Sequence, residues 1–480
     1  MLFNSYVFIL CFLPIVLISY RLLVRLENQS IAKLFLVGAS LYFYSFWNIN
    51  YLPLMIASIF VNYLIAWVIN KKEGHLLKKT MLIFGVSFNL FLLGYYKYYD
   101  FFIENVNGLF QTNMPLLQLA LPLAISFFTF QQIAYIVDTY RGETNGYTFV
   151  DYTLFVTFFP QLIAGPIVHH SEIIPQFHDK KNRLFNLHHF SSGLYIFAIG
   201  LAKKVVVADT FALYANDGYR NLEALTFVDS WVTTLAYTLQ LYFDFSGYCD
   251  MAIGLALLFN FKLPVNFNSP YRSLTIQDFW RRWHITLGRF FTQYLYIPLG
   301  GSRKGPIITY MNLFLIFFIS GIWHGAGWTF VVWGALHGVA SVLYRMWSKL
   351  PFRLPKVVAW AVTFLFVHVA WVYFRAPDLT VANTMIYKMF DVRSFDLPPA
   401  AARVMSDAFG VNFQQATYYF DLQLLLYLGI GLGVIVVMRN SISMLKAFTP
   451  SVKAGVFVSL LLVISFFYFT RVSEFIYFNF

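Results

Sequence analysis

The stretch PIITYMNLFLIFFISGIWHGAGWTFVVWGALHGVASVLY (306–344) decides the fold class. It holds two apolar runs, 307–323 and 326–344, separated by a glycine-rich break at His324 and Gly325. Runs of this length suit a helix crossing a ~30 Å hydrocarbon core, which takes roughly 17–25 residues. Outward from it, similar blocks lie at about 6–24, 31–47, 51–70, 80–96, 115–136, 187–208, 230–258, 357–374, 421–438 and 454–470, so the expectation is about twelve helices. A further block at 152–168 is interrupted by Pro160, Gly165 and Pro166, and reads as a re-entrant or kinked segment.

Composition points the same way. Of 480 residues, 59% are hydrophobic, 20% aromatic and only 12% charged, whereas a soluble domain carries about 25% charged residues. Open sheets cannot face lipid with unpaired backbone groups. A β-barrel would alternate polar and apolar residues over ~10 positions, and no such alternation is present. The expected class is therefore all-α: one polytopic membrane domain over 1–480.

The net charge of +12 does not indicate nucleic-acid binding, because the basic residues sit in short loops between apolar blocks. With the N-terminus outside, the loops at about 20–33, 71–79, 261–306, 345–356 and 439–453 fall inside and hold 21 Lys/Arg. The outside loops, about 97–114, 207–229 and 376–420, hold 5. The positive-inside rule selects this orientation, with the C-terminus also outside. The segment at 261–306 is expected to be a cytoplasmic amphipathic loop, and 376–420 an external loop with one or two short helices. The first block lacks a basic n-region and a cleavage site, and is read as a retained helix. Cys11 and Cys249 lie in apolar blocks, and HExxH, CxxC and EF-hand patterns are absent, so no metal is expected.

Ionisable groups inside a bilayer are functional candidates. His324, in SGIWHGAGW (320–328), is flanked by Trp323, Trp328 and small residues. Its two readings are a general base for an attacking hydroxyl and a packed histidine satisfied by a carbonyl. His284 lies in DFWRRWHITLGRFF (278–291) with Arg281, Arg282, Trp283 and Arg289. That stretch reads either as an interfacial helix with arginines on lipid headgroups or as a dock for the phosphates of an anionic donor such as coenzyme A or a phosphopantetheine carrier. Asp244 and Asp250, in YFDFSGYCDMAIG (242–254), could orient a histidine or pair with a cation. Gln161, in FFPQLIAGPIVHH (158–170), could line a cavity. Lys203 and Lys204 are expected to snorkel or to pair with a buried acid. His169, His170, His337 and His368 carry less weight.

In order and spacing these segments resemble the membrane-bound O-acyltransferase (MBOAT) family, and within it the bacterial branch of alginate O-acetylation and teichoic acid D-alanylation. The resemblance extends to LPLAISFFTFQQIAYIVDTYRG (121–142), FNSPYRSLTIQDFWRRWHITL (267–287), WVYFRA (371–376) and EFIYFNF (474–480). It implies a ring of about twelve tilted helices, with re-entrant segments, around a central tunnel. His324 corresponds to the embedded catalytic histidine and His284 to the second signature residue, with Arg281, Arg282, Trp283, Trp323, Asp244, Asp250 and Gln161 as donor-binding or tunnel-lining candidates. The implied activity is transfer of acetyl from a cytoplasmic thioester, acetyl-CoA or a phosphopantetheine-linked donor, to a periplasmic or extracellular polysaccharide, with no tightly bound cofactor. Implied partners are the donor, membrane lipid, the polysaccharide and a periplasmic or extracellular transferase; the implied location is the bacterial inner membrane. The competing readings are D-alanyl, lipid or peptidoglycan acylation, a non-enzymatic acyl transporter, and a scaffold.

Overall fold

A computed structural model describes residues 1–26, 29–144, 146–395, 403, 404, 406–408, 410, 422–469, 475 and 476. Among the described residues there is no β-strand. The first half of the chain forms α1 (Val7–Leu23), α2 (Gln29–Ser45), α3 (Leu52–Lys71), α4 (His75–Phe110), α5 (Ile125–Tyr140), α6 (Phe149–Thr157), α7 (Phe159–Leu162), α8 (His170–His178), α9 (Leu187–Ala202) and α10 (Asp209–Arg220). The second half forms α11 (Phe227–Leu258), α12 (Ile276–Arg282), α13 (Ile285–Phe291), α14 (Pro306–His324), α15 (Trp328–Trp347), α16 (Lys356–Arg375), α17 (Leu379–Phe390), α18 (Leu422–Val437), α19 (Ser441–Lys446) and α20 (Val452–Tyr468).

Every one of the twelve apolar blocks contains a helix. Among the described residues five helical stretches are long and apolar enough to cross a membrane: Ile49–Lys71, His75–Phe110, Phe227–Leu258, Pro306–His324 and Lys356–Arg375. Val7–Leu23, Gln423–Val437 and Val452–Tyr468 are shorter apolar helices. The interrupted block at 152–168 is kinked as expected: α6 stops at Thr157, and Pro160 lies in the four-residue α7.

Several expected boundaries need correction. The block at 80–96 does not end in a loop, because α4 continues through a π turn at Gly94–Tyr98 to Phe110. The block at 115–136 is helical only from Ile125. Pro115 and Pro122 lack the N–H that a helix needs, and the Asp100 carboxylate takes the Leu117 and Gln118 N–H groups at 2.7 and 2.9 Å. The stretch 207–229 contains α10. The segment 261–306, expected as an amphipathic loop, contains α12 and α13 and buries Phe279, Trp283 and His284, each about 1% exposed. Helix α17 lies in 376–420, but 396–402, 405, 409 and 411–420 fall outside the described residues, as does EFIYFNF apart from Phe475 and Ile476.

The centre of the molecule is α11, all of whose most apolar window is buried. Small residues let α9 approach it closely: a Cβ on Gly200 would sit 2.6 Å from the Gly247 carbonyl oxygen. Where they diverge, buried charges meet. Lys204 bridges Asp209 and Asp244 at 2.6 and 2.7 Å, and Lys203 pairs with Asp250 at 2.7 Å. A second close crossing joins α14 to α15, where a Cβ on Gly334 would lie 2.6 Å from the Phe317 carbonyl oxygen. Gly334→Leu is expected to force these helices apart, so that the variant melts at a lower temperature in detergent and accumulates less in membranes. Wild-type melting of G334L would show that the crossing is not tight.

Candidate active site

Helix α14 ends at His324 because Gly325 adopts extended backbone (φ −161°, ψ 151°), and the chain re-enters a helix only after Gly327. The His324 ring is 2% exposed as a residue and sits in an aromatic cage. Its centroid lies 4.9 Å from Trp323, 5.2 Å from Trp333 and 5.1 Å from Phe374.

His284 precedes α13 with φ +46°, a left-handed conformation uncommon for a residue other than glycine. Its Nδ1 is 3.2 Å from Asn266 Oδ1, which also accepts from the Thr286 N–H at 3.2 Å and the Thr286 hydroxyl at 2.9 Å. A backbone N–H can only donate, so Asn266 presents oxygen. His284 Nδ1 therefore carries the proton and Nε2 the lone pair. Burial pushes the His284 pKa down to about 3, so the ring is neutral at physiological pH. Trp323 stands between the histidines, with its ring 6.4 Å from His284 and 4.9 Å from His324.

A cavity of about 610 Å³ reaches His284. Its wall includes His284, Ser320 and Ser341, together with Arg281, Arg289 and Arg345. Ser320 is one helical turn before His324, so the inner end of the cavity touches the turn that carries it. Arg289 is held by Glu172 through two contacts of 2.5 and 2.7 Å. Burial alone would raise the Glu172 pKa, but Arg289 and the His169 N–H hold it below the ordinary value. Among the described residues Arg281 and Arg345 form no ion pair, which leaves both guanidinium groups available to an anion.

Three buried polar groups run along α15 at four-residue spacing, hence on one face: Trp333, His337 and Ser341. Trp280 Nε1 donates to His337 Nδ1 at 3.3 Å, which places the His337 proton on Nε2. Among the described residues, His337 Nε2, Trp333 Nε1 and Ser341 Oγ have no hydrogen-bond partner. The row leads from the arginine cavity to the cage around His324.

The structure therefore gathers His324, His284, Trp323 and Arg281. It places the other candidates elsewhere. Arg282 turns to Asp278 at 2.9 Å. Trp283 packs between Phe279 and Trp371, at 5.6 and 5.0 Å. Asp244 and Asp250 are held in the lysine pairs beside α9, and the Gln161 amide donates to the Phe155 carbonyl at 2.8 Å. His368 is a satisfied core histidine, bonded to Thr234 and Thr238 at 3.2 and 2.9 Å. Sequence reasoning missed Asn266 and Ser341, and saw Arg345 only as a loop charge. The one available signal for Arg345 was its place directly after the apolar block that follows His324.

A buried histidine one helical turn beyond Ser320, on the wall of an arginine-lined cavity, offers the groups an acyl transfer would use: a proton acceptor and cationic sites for an anionic donor. The chain belongs to the membrane-bound O-acyltransferase family: that family's model matches residues 139–377, and the protein is a multi-pass membrane acyltransferase. Among its relatives is the peptidoglycan O-acetyltransferase of Helicobacter pylori, 50% identical over 427 residues that cover 83% of this chain and 81% of the relative. The probable alginate O-acetylase AlgI of Pseudomonas putida is 42% identical over 406 residues, covering 83% and 82%. The teichoic acid D-alanyltransferase of Bacillus subtilis is 27% identical over 266 residues, covering 51% and 66%.

Proposed function

We propose that this protein O-acetylates a cell-envelope polysaccharide, taking acetyl from a cytoplasmic thioester and delivering it to a hydroxyl on the far side of the bilayer. The observation that supports this reading is that residues close to His324 on either side in the chain, Ser320 and Gly325, line two separate cavities. The arginine cavity reaches Ser320 on one side. On the other, a pocket of about 290 Å³ is lined by Tyr95, Lys97, Asp100, Gly325, Ala326 and Phe330. Arg281 and Arg345 suit the phosphates of acetyl-CoA or of a phosphopantetheine carrier. Trp333, His337 and Ser341 suit the carbonyls of its amide-containing arm.

In the reaction the acceptor oxygen attacks the thioester carbonyl while an imidazole nitrogen of His324 takes the hydroxyl proton. The tetrahedral intermediate collapses with cleavage of the C–S bond, and the proton passes from His324 to the departing thiolate. Backbone N–H groups near Gly325 and Gly327 are the candidates to face the oxyanion. His284 orients the donor beside Trp323.

The wider reading places about twelve helices in a ring around this path, in the bacterial inner membrane, with 261–306 entering from the cytoplasmic side as far as the His284–Trp323 contact and both termini outside. The basic-residue asymmetry supports that orientation, and Lys97, counted among the few outside bases, lies within α4 rather than in a loop. Peptidoglycan is the first acceptor to test, because the 50% identical relative is a peptidoglycan O-acetyltransferase, whereas the alginate O-acetylase is 42% identical. A periplasmic or extracellular transferase that receives the acetyl group would dock on the outer face at 376–420.

The test is expression in a bacterial host whose own membrane O-acetyltransferase is deleted, followed by assay of base-labile acetate on purified peptidoglycan and on exopolysaccharide. Acetate delivered outside with no ester formed would instead favour a transporter. In inside-out vesicles, Arg281→Glu and Arg345→Glu are expected to raise the KM for acetyl-CoA about tenfold or more, since a charged hydrogen bond contributes about 1.5–3 kcal/mol. Arg282→Glu, whose side chain lies off the cavity, should leave it near wild type. Equal effects at the three arginines would count against the cavity as the donor site.

A further inference from the structure

The turn that carries His324 is held from a distant part of the chain. Lys97, in the π turn of α4, places Nζ 2.5 Å from the Trp323 carbonyl oxygen, 3.2 Å from the His324 carbonyl oxygen and 3.2 Å from Ser126 Oγ. The neighbouring Tyr98 hydroxyl donates to the Ile322 carbonyl at 2.8 Å. The last carbonyls of a helix have no partner within it and carry the negative end of its dipole. A cation is the most favourable cap at that end. Here the backbone turns extended at Gly325, so the usual left-handed C-terminal turn does not supply one.

Counting donors separates two roles for Lys97. An ammonium has three N–H groups, and the three contacts use all of them, so none is left for a substrate. Lys97 nevertheless lines the outer pocket beside Gly325, which makes its position accessible to small molecules from that side. π turns inside longer helices recur at functional sites, and this one carries Lys97 and Tyr98 onto the same helix end.

We infer that Lys97 is a positioning residue: its ammonium clamps the C-terminal turn of α14 and so sets the place of the His324 ring. This rests on the reading of His324 as the general base. Without the clamp, two carbonyls lose their cationic donor and the last turn is free to shift. A displacement of even ~1 Å at a reacting group can lower turnover about a hundredfold.

The experiment measures base-labile acetate on envelope polysaccharide in the deletion host, with Lys97→Ala, Lys97→Met and His324→Ala at matched membrane abundance. K97A and K97M are expected to give about a tenth of wild-type acetate or less. Ethylammonium in the medium should restore K97A severalfold and leave H324A unchanged, because only K97A has an empty ammonium position. A purely structural loss of packing would not respond to a small amine. Wild-type acetate in K97A or K97M, or an amine-insensitive K97A, overturns the assignment. H324A at wild-type acetate overturns the general-base reading instead. Should K97A and K97M fail to accumulate, Tyr98→Phe, which deletes one hydrogen bond of the same cap, carries the test: severalfold lower acetate supports the clamp and unchanged acetate overturns it.

Discussion

Replacing His324 with alanine is expected to cut O-acetylation to below about a hundredth of wild type, since general base catalysis contributes about 10²–10⁴-fold, while the protein still reaches the membrane. The two halves of that expectation come from different features. The chemical loss is expected because the turn that carries the ring has the arginine cavity at Ser320 and a second pocket at Gly325. The retained fold follows from how the turn is held: Lys97 and Tyr98 bond to backbone carbonyls of residues 322–324, and those contacts do not need the imidazole. The cage of Trp323, Trp333 and Phe374 keeps its own neighbours, with Trp333 stacked on Trp371 at 5.8 Å. Base-released acetate, normalised to immunoblotted protein, measures the result. A stable H324A protein with wild-type acetate would end the proposal that this residue is the base.

The second large effect concerns stability. Lys204→Met is expected to prevent accumulation of folded protein, because it leaves Asp209 and Asp244 buried without their cation. Both carboxylates and the ammonium are almost wholly shielded, with side-chain exposures of 1–3%. Removing one partner from a buried pair costs about 3–5 kcal/mol, whereas replacing the whole group by neutral residues can be close to neutral. The variant K204M/D209N/D244N should therefore recover much of the abundance and melting temperature that K204M loses. Thermal unfolding in detergent reads both. If K204M melts like wild type, the triad contributes little and water must reach it. Recovery of acetylation in the triple variant would also show that Asp244 serves the fold rather than the transfer chemistry.

The extent to which the site was legible differs from residue to residue. His324 and His284 could be found because each is an ionisable residue in an unusual setting, one between tryptophans and glycines, the other beside three arginines. Asp244 and Asp250 satisfied the same criterion and yet pair with lysines. The partner of Asp244 is Lys204, forty positions earlier on a neighbouring helix, and nothing local distinguishes a carboxylate facing a lysine from one facing a tunnel. Arg282 and Arg281 are adjacent, but one turns to Asp278 and the other lines the cavity, because successive residues on a helix point in directions about 100° apart. Lys97 looked like a loop charge because hydropathy falls at Gly94–Asp100, although backbone hydrogen bonding carries the helix through.

By itself the sequence determined that the chain is helical, apolar in blocks and built for a membrane, and that His324 breaks one of those blocks. Hydrophobic length is a local property: each block's need to bury or satisfy its backbone is written in its own twenty or so residues. Only the tertiary structure decided what His324 faces. His284 meets Trp323, the chain neighbour of His324, from about forty residues away, Arg345 joins Arg281 on one cavity, and Lys97 caps a helix end more than two hundred residues away. Those meetings depend on which helix faces pack together, at crossings such as Gly334 against Phe317, and packing is a relation between segments that neither segment carries alone.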